Sequence, residues 1–254
     1  MAGTYDESIK AAAADAIRHI GGGTDRTVIG LGSGRAATAV AREIAGRVRD
    51  GRLGTSVVVG VPTSLQIKLV VEEEGDGTLP LIGADQTDAI DVVFDGADQI
   101  DAGGYVVKGG GGALLRENIL FSMASKVVVI ADATKFVRKM SRPIPVEVHR
   151  LARRLAQQGI RDAGGKASLR TNDSGYPVFT ENGNIILDCS FGPVSDPGSL
   201  STTIKQIPGV LESGIFMRRP DIIYKAGARG KFREMSAGGS GTDLYTEDDP
   251  DLMA

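Results

Sequence analysis

Through the first half of the chain, short runs of consecutive apolar residues recur between helical patterns: Thr27 to Leu31, Val57 to Val61, Val92 to Phe94 and Val127 to Ala131. None alternates with polar residues, so each needs cover on both faces, which a sheet with one wet face does not give. A glycine turn and a helix from about Ala36 to Arg49 follow the first run. Pro62-Thr63-Ser64 and helix-forming residues to about Glu74 follow the second. A further strand is expected near Leu79 to Ile82, and a helix from about Ala113 to Ala124 separates the last two runs. Ahead of all these, residues 6 to 20 read as a helix ending at Gly21-Gly22-Gly23, where helical backbone is disfavoured. Strands alternating with helices in this way predict an α/β architecture, a Rossmann-like, mostly parallel sheet with helices on both faces.

From Pro143 the order changes. A strand (Pro145 to Val148), a helix (to about Gln158) and two strands (Ala167 to Arg170, Tyr176 to Thr180) lead to a turn at Glu181-Asn182-Gly183-Asn184. A strand (Ile185 to Cys189), a helix (Pro197 to about Gln206) and a strand (Val210 to Phe216) complete the set. This β-α-β-β-α-β order predicts a smaller ferredoxin-like α+β domain. The expected division is 1–141 and 217–234 for the Rossmann-like catalytic domain, with Ile222 to Ala226 returning to the first sheet, and 142–216 for the α+β domain. Residues 235–254 are rich in Gly, Ser and acids, and are expected to be a disordered tail.

A chain of 254 residues suits one or two domains and can bury a core without disulfides or metals. Its 29 basic and 32 acidic residues are nearly balanced, so no nucleic-acid partner is expected. Cys189 is the single cysteine, which excludes an intrachain disulfide and a cysteine-based metal cluster. No apolar run approaches the roughly 20 residues that span a bilayer, and the amphipathic N-terminus lacks the apolar stretch of a signal peptide. The expectation is a soluble, cytoplasmic protein with no membrane partner.

Chemistry is concentrated between Asp91 and Leu120, DVVFDGADQIDAGGYVVKGGGGALLRENIL. One strand delivers Asp95 and Asp98 around a Gly-Ala turn, and a second ends at Lys108. Gly109, Gly110, Gly111 and Gly112 follow, and a helix opens carrying Arg116 and Glu117. Acids, one amine and bare amides thus gather where strands end, the place where open α/β sheets bind ligands. Carboxylates beside an ammonium have their pKa values pushed apart, which suits proton transfer on a small polar substrate. Asp and Gly are also ordinary turn residues, so each piece taken alone reads as a loop too.

GLGSGRAATA follows a strand and opens a helix, so its amides and the helix dipole favour an anion. The turn comprises Gly32, Ser33, Gly34, Arg35 and Ala36; Ser33, Arg35 and Thr38 are candidate donors, and the planar fork of Arg suits phosphate. A dinucleotide fingerprint needs Gly where Arg35 stands and an acid after the next strand, so NAD is not expected. A Walker A loop is missing as well. Thr63 and Ser64 can serve simply as a helix N-cap, while Lys135, in Asp132-Ala133-Thr134-Lys135, can bring a cation to the same sheet edge. His19 and His149 have no cysteine or carboxylate at metal-ligand spacing, and Ser33 lacks the flanking glycines of a G-x-S-x-G elbow. Asp95 and Asp98 could hold Mg²⁺ with a phosphate, but Lys108 supplies positive charge at the same place. Neither a metal nor a cofactor is expected.

In their order along the chain, GLGSG, GVPTS, DVVFDGADQID, KGGGGALLRENI, ADATK, PIPVEV, NGNIILD and IPGVLESGIF resemble segments of type A ribose-5-phosphate isomerases, as far as about Phe216. The resemblance implies metal-independent interconversion of ribose 5-phosphate and ribulose 5-phosphate through a cis-enediolate, a step of the non-oxidative pentose phosphate pathway. It implies Glu117 as the base that moves a proton between C2 and C1, Asp95 assisting furanose opening, Asp98 in support, and Lys108 stabilising the oxyanion. By the same resemblance the Ser33 loop and Lys135 hold the phosphate, the glycines 109–112 border the substrate, and the protein is a homodimer or homotetramer.

Departures from the family pattern concern the anion loop and one neighbour of the acids. The family loop commonly reads Gly-Thr-Gly-Ser-Thr, so Arg35 and Ala36 replace two hydroxyls here, and Arg35 is expected to compensate. Gln99 stands where Glu is usual, and beyond Phe216 the match is loose. The nearest rival is a hexosamine-phosphate isomerase/deaminase or a related lactonase, but such deaminases lean on a catalytic histidine, and none stands near this cluster. A sugar-phosphate sensor is a rival of another class. Sensors tend to lose the acids kept here, and about 25 residues before the first strand are too few for a helix-turn-helix module.

Overall fold

The computed structural model describes residues 5–21, 26–53, 57–236 and 244–245. The chain opens with α1 (Asp6–Ala16), β1 (Thr27–Leu31), α2 (Arg35–Arg49), β2 (Val58–Pro62) and α3 (Leu65–Glu74). Next come β3 (Ile90–Asp95), β4 (Gln99–Asp101), β5 (Val106–Val107), α4 (Leu114–Met123), β6 (Ala124–Asp132) and β7 (Phe136–Val137). β8 (Ile144–Val148), α5 (Arg153–Asp162), β9 (Lys166–Leu169), β10 (Ile185–Ser190) and α6 (Pro197–Lys205) follow. β11 (Val210–Ser213), β12 (Ile215–Phe216), β13 (Ile222–Ala226) and β14 (Phe232–Ser236) complete the described elements.

The main sheet runs β2-β1-β3-β6-β13-β14, with the first five strands parallel and β14 antiparallel at the edge. Both faces of the central strands are dry, as continuous apolar strands require, while β14 at the edge is largely exposed. Val92 and Phe94 of β3 and Val128 and Ile130 of β6 pack beneath α1 and α2. Val93, Val127 and Val129 pack on the other side with Leu120 and Phe121 of α4. Each such side chain contributes about 1.5–3 kcal/mol by leaving water. The chain steps outward from β1 to β2 but in the opposite direction from β3 to β6. A crevice therefore opens beyond the carboxyl ends of β1 and β3, where Ser33 and Asp95 lie.

A second, antiparallel sheet runs β11-β8-β10-β9, with the first and third of its strands in the middle, the ferredoxin-like arrangement. Ala156 and Ile160 of α5 and Ile204 of α6 cover it against Val146, Val148 and Leu187. The third sheet, β12-β5-β4-β7, links the other two. Gly214 is the junction. A Cβ there would lie 2.5 Å from the Lys108 carbonyl oxygen and 2.8 Å from that of Pro145, so only glycine lets the three segments meet. Its N–H donates to Pro145 (2.7 Å), and its carbonyl accepts from the Lys108 N–H (2.8 Å).

Several expected elements come out differently. Val210 to Phe216 is not one strand: it breaks at Gly214, and its halves join different sheets. The runs 79–82 and 176–180 are reduced to isolated bridges, Gly60 with Leu81, and Thr171 with Pro177 and Phe179 with Ile185. Strand-forming composition does not suffice where no full-length neighbour is on offer. The expected tail does not begin at 235, because Met235 and Ser236 belong to β14 and pair with Ile223 and Ile222. Leu244 is buried and its N–H reaches the Ala102 carbonyl; residues 237–243 and 246–254 of that expectation, like Gly22 and Gly23, lie outside the described residues.

Candidate active site

β3 is buried from Val92 to its last residue and ends by placing Asp95 under the glycine turn that follows β1. Asp95 Oδ1 accepts from the Gly96 N–H (2.7 Å), the Ser33 N–H (3.2 Å) and Lys108 Nζ (2.8 Å). Gly32 makes that approach possible, since a Cβ on it would stand 2.1 Å from the carboxylate. Lys108, at the end of β5, is 5% exposed and its ammonium lies 3.1 Å from Glu117 Oε1. Glu117 sits in the first turn of α4, where the helix dipole favours an acid, and is 3% exposed. Asp95 Oδ2 and Glu117 Oε2 are buried and accept no hydrogen bond.

Burial pushes Glu117 up to about 8, the nearby Asp95 charge adds to the rise, and Lys108 opposes it. Burial also raises Asp95, against the pull of Lys108 and of the two backbone N–H donors. For Lys108 burial acts downward, but the carboxylates of Asp95 and Glu117 outweigh it and hold the ammonium above its ordinary range. Two acids therefore share one cation out of water, and Glu117 is left with a pKa near neutrality, the range that suits general-base work.

Lys108 and Glu117 open onto a cavity of about 240 Å³. Ser33, Gly34, Arg35, Ala36 and Lys135 border it together with Asp98, Gly109, Gly110 and Gly111. Gly32, Asp95 and Gly112 do not: the first two stand behind the wall, and Gly112 leads into α4. Ser33 Oγ lies 2.7 Å from Thr63 Oγ1 and 3.0 Å from Ser64 Oγ. Ser64 is also the N-cap of α3, accepting from the Ile67 N–H, as the N-cap reading of this segment expects. Asp98 Oδ2 accepts from the Gly110 N–H (2.7 Å).

Arg35 does border the cavity, but its guanidinium is engaged by Asp6 Oδ1 (3.1 Å) and Asp132 Oδ2 (3.0 Å). Thr38 stays outside the cavity lining and meets Gln66 instead. Gln99 lies outside the cavity lining: its Oε1 accepts from the N–H groups of Ser141 and Arg142 (3.0 and 3.2 Å), while its Nε2 is buried without a hydrogen-bond partner, so nothing in these contacts explains an amide in place of Glu. Asp132 and Arg170, which donates to the Gly109 and Gly110 carbonyls, escaped sequence reasoning because a strand-end Asp and a lone Arg carry no local signal. His19 bonds Tyr224 at the far side of α1. Among the described residues, no group of three or more His, Cys, Asp or Glu side chains is arranged to hold a metal ion, and no helix is long and apolar enough to cross a membrane.

The family model described as Ribose 5-phosphate isomerase A (phosphoriboisomerase A) matches residues 59–230, which extends the resemblance beyond Phe216. Ribose-5-phosphate isomerase A of Roseiflexus castenholzii is 41% identical over 204 residues, 80% of this chain and 85% of that protein. The structure of ribose 5-phosphate isomerase A from Methanocaldococcus jannaschii superposes with a TM-score of 0.80 at 34% identity, over 91% of this chain and 98% of that one. A D-ribose-5-phosphate isomerase solved in complex with phospho-erythronic acid gives 0.83 at 34% identity, over 91% and 99%. With sequence and fold agreeing over most of the molecule, the chain belongs to the ribose 5-phosphate isomerase A family.

Proposed function

We propose that the protein interconverts D-ribose 5-phosphate and D-ribulose 5-phosphate through an enediolate, as an aldose-ketose isomerase of the non-oxidative pentose phosphate pathway. The observation that carries this reading is the buried Lys108 ammonium bonded to both Asp95 and Glu117, at a cavity that also meets the anion loop. In the reaction Glu117 takes the proton from C2 of the open-chain aldose and returns it to C1. Lys108 stabilises the oxygen on which negative charge develops. A placed base contributes roughly 10²–10⁴-fold, and an oxyanion donor about 10²–10³-fold.

Of the two aspartates, Asp98 has direct access to the sugar, and Asp95 assists ring opening by holding Lys108. Ser33 offers its hydroxyl and Gly34 and Ala36 their backbone amides to the phosphate, Lys135 offers an ammonium, and Arg35 exchanges a carboxylate partner for the phosphate. Gly109 to Gly111 border the reacting end of the sugar. Lys108 supplies the positive charge that a divalent ion would otherwise bring, so the reaction proceeds without metal.

The decisive experiment incubates EDTA-treated protein with ribose 5-phosphate and follows ribulose 5-phosphate. Rapid conversion is expected; absence of turnover, or turnover only after a divalent ion is restored, would sink the metal-free mechanism. A cytoplasmic homodimer or homotetramer, with residues 142–216 as a distinct domain, completes the proposal. Sedimentation equilibrium tests the assembly.

A further inference from the structure

Four consecutive glycines have more conformational freedom than any other tetrapeptide, so whatever single shape Gly109 to Gly112 takes must be imposed from outside. One side chain does so from the ferredoxin-like sheet. Arg170 directly follows β9, and its main chain is fixed by its N–H to the Ile186 carbonyl (2.9 Å) and by its own carbonyl to the Val178 N–H (3.0 Å). Its guanidinium forks onto both oxygens of Asp188 on β10, with Nε 2.9 Å from Oδ2. The remaining edge turns to the glycine loop: Nη1 donates to the Gly109 carbonyl at 2.7 Å and to the Gly110 carbonyl at 3.0 Å. The side chain is largely buried, and the planar fork, anchored on Asp188, leaves little freedom in where Nη1 points.

All described peptide bonds are trans, so each N–H points opposite to the carbonyl of the same peptide unit. Pinning the Gly109 carbonyl aims the Gly110 N–H at Asp98 Oδ2, 2.7 Å away. Pinning the Gly110 carbonyl turns the Gly111 N–H away from Arg170, and Gly111 borders the cavity. The loop also fixes the chain immediately after Lys108, whose ammonium must stay between Asp95 and Glu117. We propose that Arg170 is a positioning residue for the isomerisation: through two carbonyls it orients the glycine-loop amides, Asp98 and Lys108, without touching the sugar. The inference deepens the isomerase reading and rests on it.

The test uses Arg170→Met and Arg170→Lys in the full chain, with steady-state kinetics on ribose 5-phosphate, the pH dependence of kcat and thermal unfolding. A loop displaced by about an ångström costs up to roughly 100-fold, so kcat of the Met variant should fall roughly 10- to 100-fold. KM should change by less than about threefold, because the phosphate is held by the Ser33 loop instead. The acid limb of kcat should move to higher pH as Lys108 drifts from Glu117. Lys, which can reach one carbonyl, should recover part of kcat; should the Met variant fail to fold, the Lys variant alone carries the test. Wild-type kcat and an unmoved pH profile in a folded variant overturn the inference. So does a loss of activity that merely tracks the unfolded fraction. Absence of turnover in the wild type would instead overturn the isomerase reading, and this inference with it.

Discussion

Glu117 Oε1 and Lys108 Nζ lie 3.1 Å apart, both nearly buried at the wall of the cavity, and the same ammonium lies 2.8 Å from Asp95 Oδ1. One cation cannot neutralise two carboxylates. The surplus negative charge falls on Glu117, which has the shared ammonium but, unlike Asp95, no backbone N–H donor. A catalyst benefits from this arrangement, since a carboxylate that holds its proton more tightly than usual is a stronger base once ionised. Asp95, bonded at one oxygen by three donors, acts as the counter-ion that keeps Lys108 charged and in place.

Replacing Glu117 by Gln removes the proposed base and keeps the shape. We expect kcat to fall by roughly 10²–10⁴-fold with KM nearly unchanged. Isotope exchange at C2 of ribose 5-phosphate should be lost in parallel. Near-normal turnover in Glu117→Gln would require a different base.

The pH dependence follows from the position of Glu117 at about 8. In the free enzyme kcat/KM should rise with pH through that region and level off above it. Stability has the opposite sign. The folded pKa of about 8 exceeds the ordinary value of 4.5, so the folded state binds the proton more tightly. Stability from this group is complete below about pH 4.5 and is lost as pH rises through 8. Urea unfolding at pH 5 and pH 9 should therefore show Glu117→Gln gaining on the wild type as pH rises. A constant difference would mean that Glu117 is not the group carrying the strain.

Lys108→Met should hurt the fold as well as the reaction. Without the ammonium, Asp95 and Glu117 face each other buried and unpaired, a change that typically costs about 3–5 kcal/mol. The deficit should shrink at acid pH, where both carboxyls take up protons. Urea midpoints across pH measure it, and a deficit that does not change with pH would contradict the paired-charge account.

Much of this was readable in the sequence, for identifiable reasons. Thr27 to Leu31 is a strand whose bounds follow from its unbroken apolar run, and Asp95, Lys108 and Glu117 are legible because acids and an amine at strand and helix ends have few purely structural uses. What escaped depends on contacts distant in sequence. β4, β7 and β12 are two or three residues long and exist only through their partners. The break at Gly214 is set by the carbonyls of Lys108 and Pro145 rather than by its neighbours in the chain. Arg170, 61 residues beyond Gly109, reaches the glycine loop from beside another sheet and is anchored there by Asp188. Two partners of Arg35, Asp6 and Asp132, come from α1 and from the end of β6, so the sequence showed the cation but not these contacts.

Arg35 yields the prediction most particular to this chain. Its ion pair with Asp6 joins two side chains that are each nearly half exposed, and such pairs contribute only about 0–1 kcal/mol. Asp132, by contrast, is 5% exposed and is also bonded by Thr134, so it forms a fixed seat from which the guanidinium reaches the cavity. A dianionic phosphate arriving beside Ser33 competes readily with Asp6 and less readily with Asp132. Charge-assisted bonds to phosphate are worth about 1.5–3 kcal/mol, so Arg35→Ala should raise KM for ribose 5-phosphate by roughly 10- to 100-fold with a smaller effect on kcat. Asp6→Ala, which frees the guanidinium from its weaker partner, should leave KM equal or lower it. An unchanged KM in Arg35→Ala would remove Arg35 from phosphate binding and leave it as a tie between α1 and the end of β6, with the phosphate resting on Lys135, the Ser33 hydroxyl and the amides of Gly34 and Ala36.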